Sequence, residues 1–176
     1  MKTKKSFLVT NSFSEKVINW YELHGRHDLQ WRKAITPYRI WISEIMLQQT
    51  QVVTVKPYFK KFIKKYPTLK SIQNASEDEI LTLWSGLGFY KRARNIFRTK
   101  EIIHSKHKGR FPKTFEEIIK LPGIGKSTAG AIMSIAHQIP TPILDGNVKR
   151  ILQRYFSDGK NIFSENELWD LSLSVS

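Results

Sequence analysis

Residues 36–51 read Thr-Pro-Tyr-Arg-Ile-Trp-Ile-Ser-Glu-Ile-Met-Leu-Gln-Gln-Thr-Gln. Wound as a helix, this segment puts Glu44 on one face with Ile40, Trp41 and Leu47, and its neighbours Ile45 and Met46 are apolar as well. A carboxylate in such surroundings is costly unless it is paired or protonated. Desolvation raises its pKa and makes it a candidate general acid near neutral pH. A buried glutamate bonded to a backbone group or to an arginine fits the same pattern.

A second stretch, Leu121 to Gly130, reads Leu-Pro-Gly-Ile-Gly-Lys-Ser-Thr-Ala-Gly. Gly123 and Gly125 predict a tight hairpin between two helices, a shape that turns backbone N–H groups toward a phosphate. A plain corner between two helices satisfies the same residues. Twenty positions after Gly125 stands Asp145, in Ile-Leu-Asp-Gly-Asn-Val-Lys-Arg. It is placed as the N-cap of the next helix, where the helix dipole favours an ionised carboxylate. That role is compatible with catalysis.

The elements that position these residues are helices. Almost every segment has helical periodicity, and strand-like alternation is absent. Capping boxes at Ser12-x-x-Glu15, Ser76-x-x-Glu79, Thr114-x-x-Glu117 and Ser164-x-x-Glu167 predict helix starts, and Thr36-Pro37 predicts another. Pro57 requires the helix that holds it to begin near Thr54 or to kink there. Gly86, Gly88, Gly109 and Gly146 punctuate the connections. The predicted fold class is all-α. The last helix, opened by Ser164, carries Leu168, Trp169, Leu171 and Leu173. Its apolar stripe needs cover, either by docking on the core or from chain beyond Ser176.

Composition narrows the partners. The chain has 176 residues and a formal charge of +14, an excess that favours a polyanion, of which nucleic acid is the usual one. No segment approaches the ~20 apolar residues of a membrane span, and Phe7-Leu8-Val9 is too short an apolar run for a secretory signal. A cytoplasmic location is expected. With no cysteine, the chain forms no disulfide and offers no thiolate to zinc or to an iron–sulfur cluster. Basic residues follow the Gly-Leu-Gly-Phe-Tyr turn at Lys91, Arg92, Arg94, Arg98 and Lys100, and phosphate contact is expected of some of them. Lys60, Lys61, Lys64 and Lys65 are expected mostly to be solvated.

Four strings occur in order: Trp-Ile-Ser-Glu-Ile-Met-Leu-Gln-Gln-Thr-Gln-Val, Gly-Leu-Gly-Phe-Tyr-Lys-Arg-Ala-Arg-Asn, Leu-Pro-Gly-Ile-Gly-Lys-Ser-Thr-Ala-Gly-Ala-Ile and Ile-Leu-Asp-Gly-Asn-Val-Lys-Arg. Together they resemble the adenine-specific DNA glycosylases of the helix-hairpin-helix superfamily, from residue 12 to the end of the chain. The resemblance implies a barrel of six helices over residues 30–140, carrying the hairpin, with 1–29 and 141–176 as part of a second helical domain. It implies base excision repair: hydrolysis of the N-glycosidic bond of adenine mispaired with 8-oxoguanine or guanine. The partner would be double-stranded DNA, met by a monomer in the cytoplasm at the nucleoid.

By the same resemblance Glu44 protonates adenine at N7, Asp145 stabilises the oxocarbenium-like sugar, and Asn147 orients the water or the aspartate. Gln48 and Gln49 wedge the duplex, and Phe89 intercalates where the family usually has tyrosine, so a hydroxyl hydrogen bond is lost. Arg32 lies near the adenine pocket, in Leu-Gln-Trp-Arg, where Gln30 replaces the usual proline. Gly123, Gly125, Lys126, Arg92 and Arg94 are expected at phosphates. Ser127 occupies the position at which strand-cutting relatives carry a Schiff-base lysine. Lys126, one residue earlier, is turned about 100° round the helix, so a monofunctional enzyme is expected. Full-length members bind a four-iron–four-sulfur cluster through four cysteines, and this chain resembles a truncated member without them. The rivals are a helix-hairpin-helix module that binds DNA with weak or no catalysis, and a glycosylase of different base preference.

Overall fold

The computed structural model describes residues 2–157 and 162–176; the side chains of Phe7-Leu8-Val9 lie outside that description. Every regular element among the described residues is helical, as the periodicity predicts. The chain divides into two compact units, Asp28–Ile139 and the pair Met1–His27 with Pro140–Ser176.

The first unit holds α2 (Gln30–Lys33), α3 (Pro37–Leu47), α4 (Val52–Lys65), α5 (Leu69–Ile72), α6 (Glu77–Trp84), α7 (Lys91–Lys106), α8 (Phe115–Ile118) and α9 (Lys126–Ala131). The last of these runs on into a π-helical turn, Ile132–Ala136. The helix α3 is its central element. Thr36 caps it by accepting from the Arg39 N–H, and Pro37 sits at its first position, where a missing N–H is harmless. Ile40, Trp41, Ile42, Ile45 and Met46 are all buried, and α3 packs on α4, α7, α9 and the π-turn.

Packing rather than capping fixes this helix. Burying a ring the size of Trp41 removes ~150–250 Å² from water, about 4–6 kcal/mol at roughly 25 cal/mol per Å². A good cap contributes ~1 kcal/mol. The buried Trp41 Nε1 has no partner, a loss of about 1–3 kcal/mol that the transfer term outweighs. Trp84, Phe59, Phe62 and Ile80 complete the core.

In α4 the helix begins at Val52, two residues before Thr54, and Pro57 lies inside it. Ser76 and Glu79 form the predicted reciprocal box on α6. Thr114 caps α8, but Glu117 meets its hydroxyl rather than its backbone. Thr68 and Ser71 make a further box, on α5, that the search for Ser/Thr-x-x-Glu does not find.

The second unit contains α1 (Lys2–His24), α10 (Gly146–Phe156) and α11 (Glu165–Ser174). Ser12 opens no helix, because α1 runs straight through it. Ser164 does open α11, with Glu167 closing the box. The stripe on α11 is docked: Leu168 is buried with Phe13, Leu144 and Leu152, and Trp169 and Leu171 are half-buried against them. Leu173 remains exposed, as do Ile18, Trp20 and Leu23 on α1. Among the described residues no helix is long and apolar enough to cross a membrane.

The Ser76 box carries a prediction. Ser76→Ala should lower the free energy of unfolding by about 1 kcal/mol in urea titration. The Ser76 backbone N–H, and then Lys65, hold the Glu79 carboxyl below its ordinary pKa. That contribution is therefore full above the unfolded pKa and is lost as pH falls through the lower folded value; alanine keeps the backbone N–H and Lys65 is untouched, so acid should destabilise parent and variant alike and leave the difference between them nearly constant.

Candidate functional site

Three chain segments of the first unit converge at the C-terminal end of α3. The first is α3 itself, which ends at Leu47. Glu44 lies in its last turn, half-buried between the buried Ser43 and Ile45. The Gln48 N–H donates to the Glu44 carbonyl and terminates the helix. Gln49 then takes a left-handed backbone, φ 55°, and is exposed.

The second segment is the turn Gly86-Leu87-Gly88-Phe89 between α6 and α7. Gly86 and Gly88 have φ of 92° and 74°, and Phe89 follows at 50°, its ring 58% exposed. Trp84 Nε1 donates to the Gly88 carbonyl at 3.0 Å and closes the turn from below.

The third is the glycine hairpin between α8 and α9. Gly123 needs its positive φ of 79°, and a Cβ there would lie 2.6 Å from Asn95 Nδ2. Gly125, the N-cap of α9, faces open space: a Cβ on it would meet nothing within 4 Å. The hairpin is tied to the other segments. Gln48 Nε2 donates to the Gly123 carbonyl at 3.1 Å, and the Thr99 hydroxyl on α7 donates to the Pro122 carbonyl at 3.2 Å. Ser127 is half-buried on α9, and Lys126 before it is exposed.

Between the first two segments lies an open groove of about 730 Å³, lined by Gln48, Gln49, Phe89, Tyr90, Arg94 and Asn95. Its floor is Arg92, and here the sequence expectation fails. The sequence puts Arg92 at a phosphate; in the structure it is buried, with 7% of its surface exposed. Its guanidinium donates to the carbonyls of Ile45, Met46 and Gln48 on one side and of Leu87 and Gly88 on the other. It lies 5.4 Å from the Trp84 ring centroid and 5.2 Å from that of Phe89. Burial lowers its pKa from the ordinary arginine value. The signal was present in the sequence: Arg92, Ile96, Thr99 and Ile103 share the buried stripe of α7. Lys100 is also buried, bonded to the Gln73 carbonyl and Glu101. Arg94 is exposed and paired with Glu77 at 3.3 Å. Lys91, Arg98 and Arg32 are exposed.

The remaining candidates belong to the second unit. Asp145 is the N-cap of α10, and its Oδ1 accepts from the N–H groups of Asn147 and Val148 at 2.9 and 2.8 Å. Two such bonds aim the carboxylate and leave Oδ2 for other work. The Asn147 side-chain oxygen accepts from Arg150. Within the first unit, a carboxylic acid in the last turn of a core helix and an open glycine hairpin suit acid-assisted cleavage on a phosphate-bearing substrate.

Residues 42–171 match the model of the HhH-GPD superfamily base excision DNA repair proteins. The chain belongs to this superfamily. Among HhH-GPD proteins it is 52% identical over 167 residues to an adenine DNA glycosylase of Buchnera aphidicola subsp. Acyrthosiphon pisum (strain APS), an alignment covering 93% of this chain and 48% of that protein. It is 40% identical to the adenine DNA glycosylase of Rattus norvegicus, covering 92% of this chain and 33% of the relative. The chain thus spans half or less of the length of these curated relatives. A solved thermostable thymine-DNA glycosylase superposes with a TM-score of 0.87 at 28% identity, covering 99% of this chain and 80% of that one. The fold is all-helical, as the periodicity predicts, and is the HhH-GPD fold that the family resemblance implies.

The hairpin geometry separates its two glycines. Gly123→Ala should destabilise the protein by on the order of 1–2 kcal/mol, because alanine resists the left-handed region and its Cβ would press on Asn95. Gly125→Ala, at φ −92° with open space around it, should leave the thermal midpoint nearly unchanged. Equal losses at the two positions would contradict this description of the loop.

Proposed function

We propose that this chain is the adenine-excising part of a monofunctional DNA glycosylase acting in base excision repair. The substrate is double-stranded DNA in which adenine lies opposite 8-oxoguanine or guanine. What carries the reading is the convergence, in one unit, of the Glu44 turn, the exposed Phe89 and the glycine hairpin at the end of α3. Together they supply an acid, a stacking ring and a backbone grip within one segment cluster. The adenine DNA glycosylase relatives support the same reading.

The chemistry follows from the residue types. A base inside a duplex is inaccessible, so the adenosine must leave the stack. The hairpin at Gly123 and Gly125 and the exposed Lys126 hold the backbone, while Arg94 adds local positive charge. Gln48 and Gln49 enter the duplex beside the orphaned base, and the Phe89 ring stacks there, worth ~1–3 kcal/mol. Glu44 delivers a proton to adenine N7. The N-glycosidic bond breaks with its electron pair going to the base. The developing positive charge on the sugar is met by ionised Asp145, and water adds at C1′, its proton passing to the Glu44 carboxylate, leaving free adenine and an abasic site. This is two-carboxylate glycoside chemistry with one acid neutral and one ionised. Asn147 orients the water or Asp145, and Arg32 lies by the base pocket. The unit Asp28–Ile139 serves as the helical barrel, and the other unit as part of the second domain.

The iron–sulfur cluster that the family resemblance implies does not fit the residues of this chain. It has no cysteine, and among the described residues no group of three or more His, Asp or Glu side chains could hold a metal ion. No step above passes through it.

The test is a duplex with adenine opposite 8-oxoguanine, incubated with the chain and then treated with alkali. Strand scission only after alkali is the expected result. Glu44→Gln keeps shape and hydrogen bonding but removes acidity, and should reduce excision roughly 10²–10⁴-fold with duplex affinity nearly intact. Excision close to the parent's would remove Glu44 from the acid role. Tight duplex binding with no excision by the parent would favour the rival, a binding module.

Ser127 supplies a separate prediction. With no lysine at that position of α9, borohydride should trap almost no covalent protein–DNA adduct, and Ser127→Lys should increase trapping. Efficient trapping by the parent would identify Lys126 or another amine as nucleophile.

A further inference from the structure

Two residues other than glycine hold left-handed backbone at the groove, Gln49 at φ 55° and Phe89 at φ 50°. For an L-residue this region brings Cβ against a carbonyl, and the conformation persists only where surrounding structure imposes it. The structure imposes it at both places through one group. The carbonyl preceding Gln49 is that of Gln48, and the carbonyl preceding Phe89 is that of Gly88. Both accept from the Arg92 guanidinium, from Nη1 and Nη2 respectively. A peptide unit is planar, so the direction of the carbonyl before a residue sets that residue's φ once its Cα is anchored. Both flanks are anchored: Leu47 and Ile45 belong to α3, and Arg92 to α7. The planar, five-donor fork can serve two backbones at once; a lysine ammonium on a flexible stem cannot reproduce that geometry.

The two residues so held are exposed at the mouth of the groove, Gln49 on one wall and Phe89 on the other. Phe89 is braced from beneath by the same cation, 5.2 Å from its ring. Restraining both before any ligand arrives lowers the ordering cost of inserting them into one.

We infer that Arg92 is a positioning residue for duplex opening: by fixing the Gln48 and Gly88 carbonyls it holds Gln49 and Phe89 ready to enter a base stack together. The inference rests on the DNA-glycosylase reading above for what is opened, and on the structure alone for what is held. The Arg92 guanidinium is buried and committed to backbone carbonyls, so its loss should act on base extrusion rather than on backbone grip.

Two measurements on the full chain test this. In the free protein, Arg92→Lys should lower the thermal midpoint. Glycine adopts φ near 55° without strain, so Gln49→Gly in the Arg92→Lys background should recover a substantial part of that loss. Where Arg92→Lys alone does not fold, the double variant should. Strict additivity of the two substitutions, or a double variant that also fails to fold, would overturn the restraint.

With DNA, a duplex carrying 2-aminopurine opposite 8-oxoguanine reports unstacking by its fluorescence. Arg92→Lys should lose about fivefold or more of the fluorescence rise at saturating protein. Affinity for a matched duplex should stay within about threefold, because backbone contacts carry most of it. An undiminished rise would overturn the positioning role and leave the glycosylase reading intact. A parent that saturates the duplex without any rise would remove the glycosylase reading instead, and the coupling between positions 92 and 49 would then decide whether the restraint exists.

Discussion

A guanidinium buried between the end of α3 and the Gly86–Phe89 turn organises the groove. Burying a cation costs several kcal/mol unless the protein solvates it; the two terminal nitrogens of Arg92 are solvated by five backbone carbonyls, with two aromatic faces nearby, while its buried Nε has no hydrogen-bond partner. The carbonyls gain as well. Those of Ile45 and Met46 lie in the last turn of α3, where a helix leaves acceptors unpaired and negative potential collects. The Gly86–Phe89 turn turns its own carbonyls toward the same point. Without a planar cation there, two sets of acceptors would face each other across a dry gap. The end of α3 and the start of α7 can approach closely because Arg92 stands between them.

Around this junction the remaining ties are short and local. Gln48 reaches the Gly123 carbonyl, Thr99 reaches the Pro122 carbonyl, and Gly123 leaves room for Asn95. A single helix, α7, therefore contacts the end of α3 through Arg92 and the hairpin through Asn95 and Thr99. Its charge is divided by depth. Arg92 and Lys100 are buried and bonded within the protein, whereas Lys91, Arg94 and Arg98 face outward. A count of basic residues along this helix would overstate the charge available to a polyanion by the two that are spent inside.

The catalytic candidates differ in how they are held. Glu44 rides on the helix with the largest buried aromatic load, so its backbone is fixed by core packing worth several kcal/mol. Asp145 is fixed by its own capping bonds to Asn147 and Val148, a local device that works wherever α10 sits. A neutral acid benefits from a partly dry, immovable setting. An ionised carboxylate benefits from N–H donors and access to charge developing outside the protein.

What could be read from the sequence was local. Helical periodicity, the caps at Thr36, Ser76 and Ser164, the hairpin glycines and the Asp145 cap depend on residues within a turn of one another, and they stand in the structure where the sequence puts them. The family was legible for the same reason, since its strings are contiguous. Ser12 misled because a capping box is only a possibility that a helix already under way ignores. Tertiary structure alone decided the rest. The stripe on α11 found its cover in Phe13, 155 positions before Leu168. Arg92 and Arg94 are two residues apart and look alike in a basic run. A helical step of two residues is about 200°, so one faces the core and the other the solvent. Which of them points inward depends on the apolar stripe of α7 and on the presence of orphan carbonyls from α3. Those acceptors belong to a helix more than forty residues earlier, and only folding brings them opposite the guanidinium.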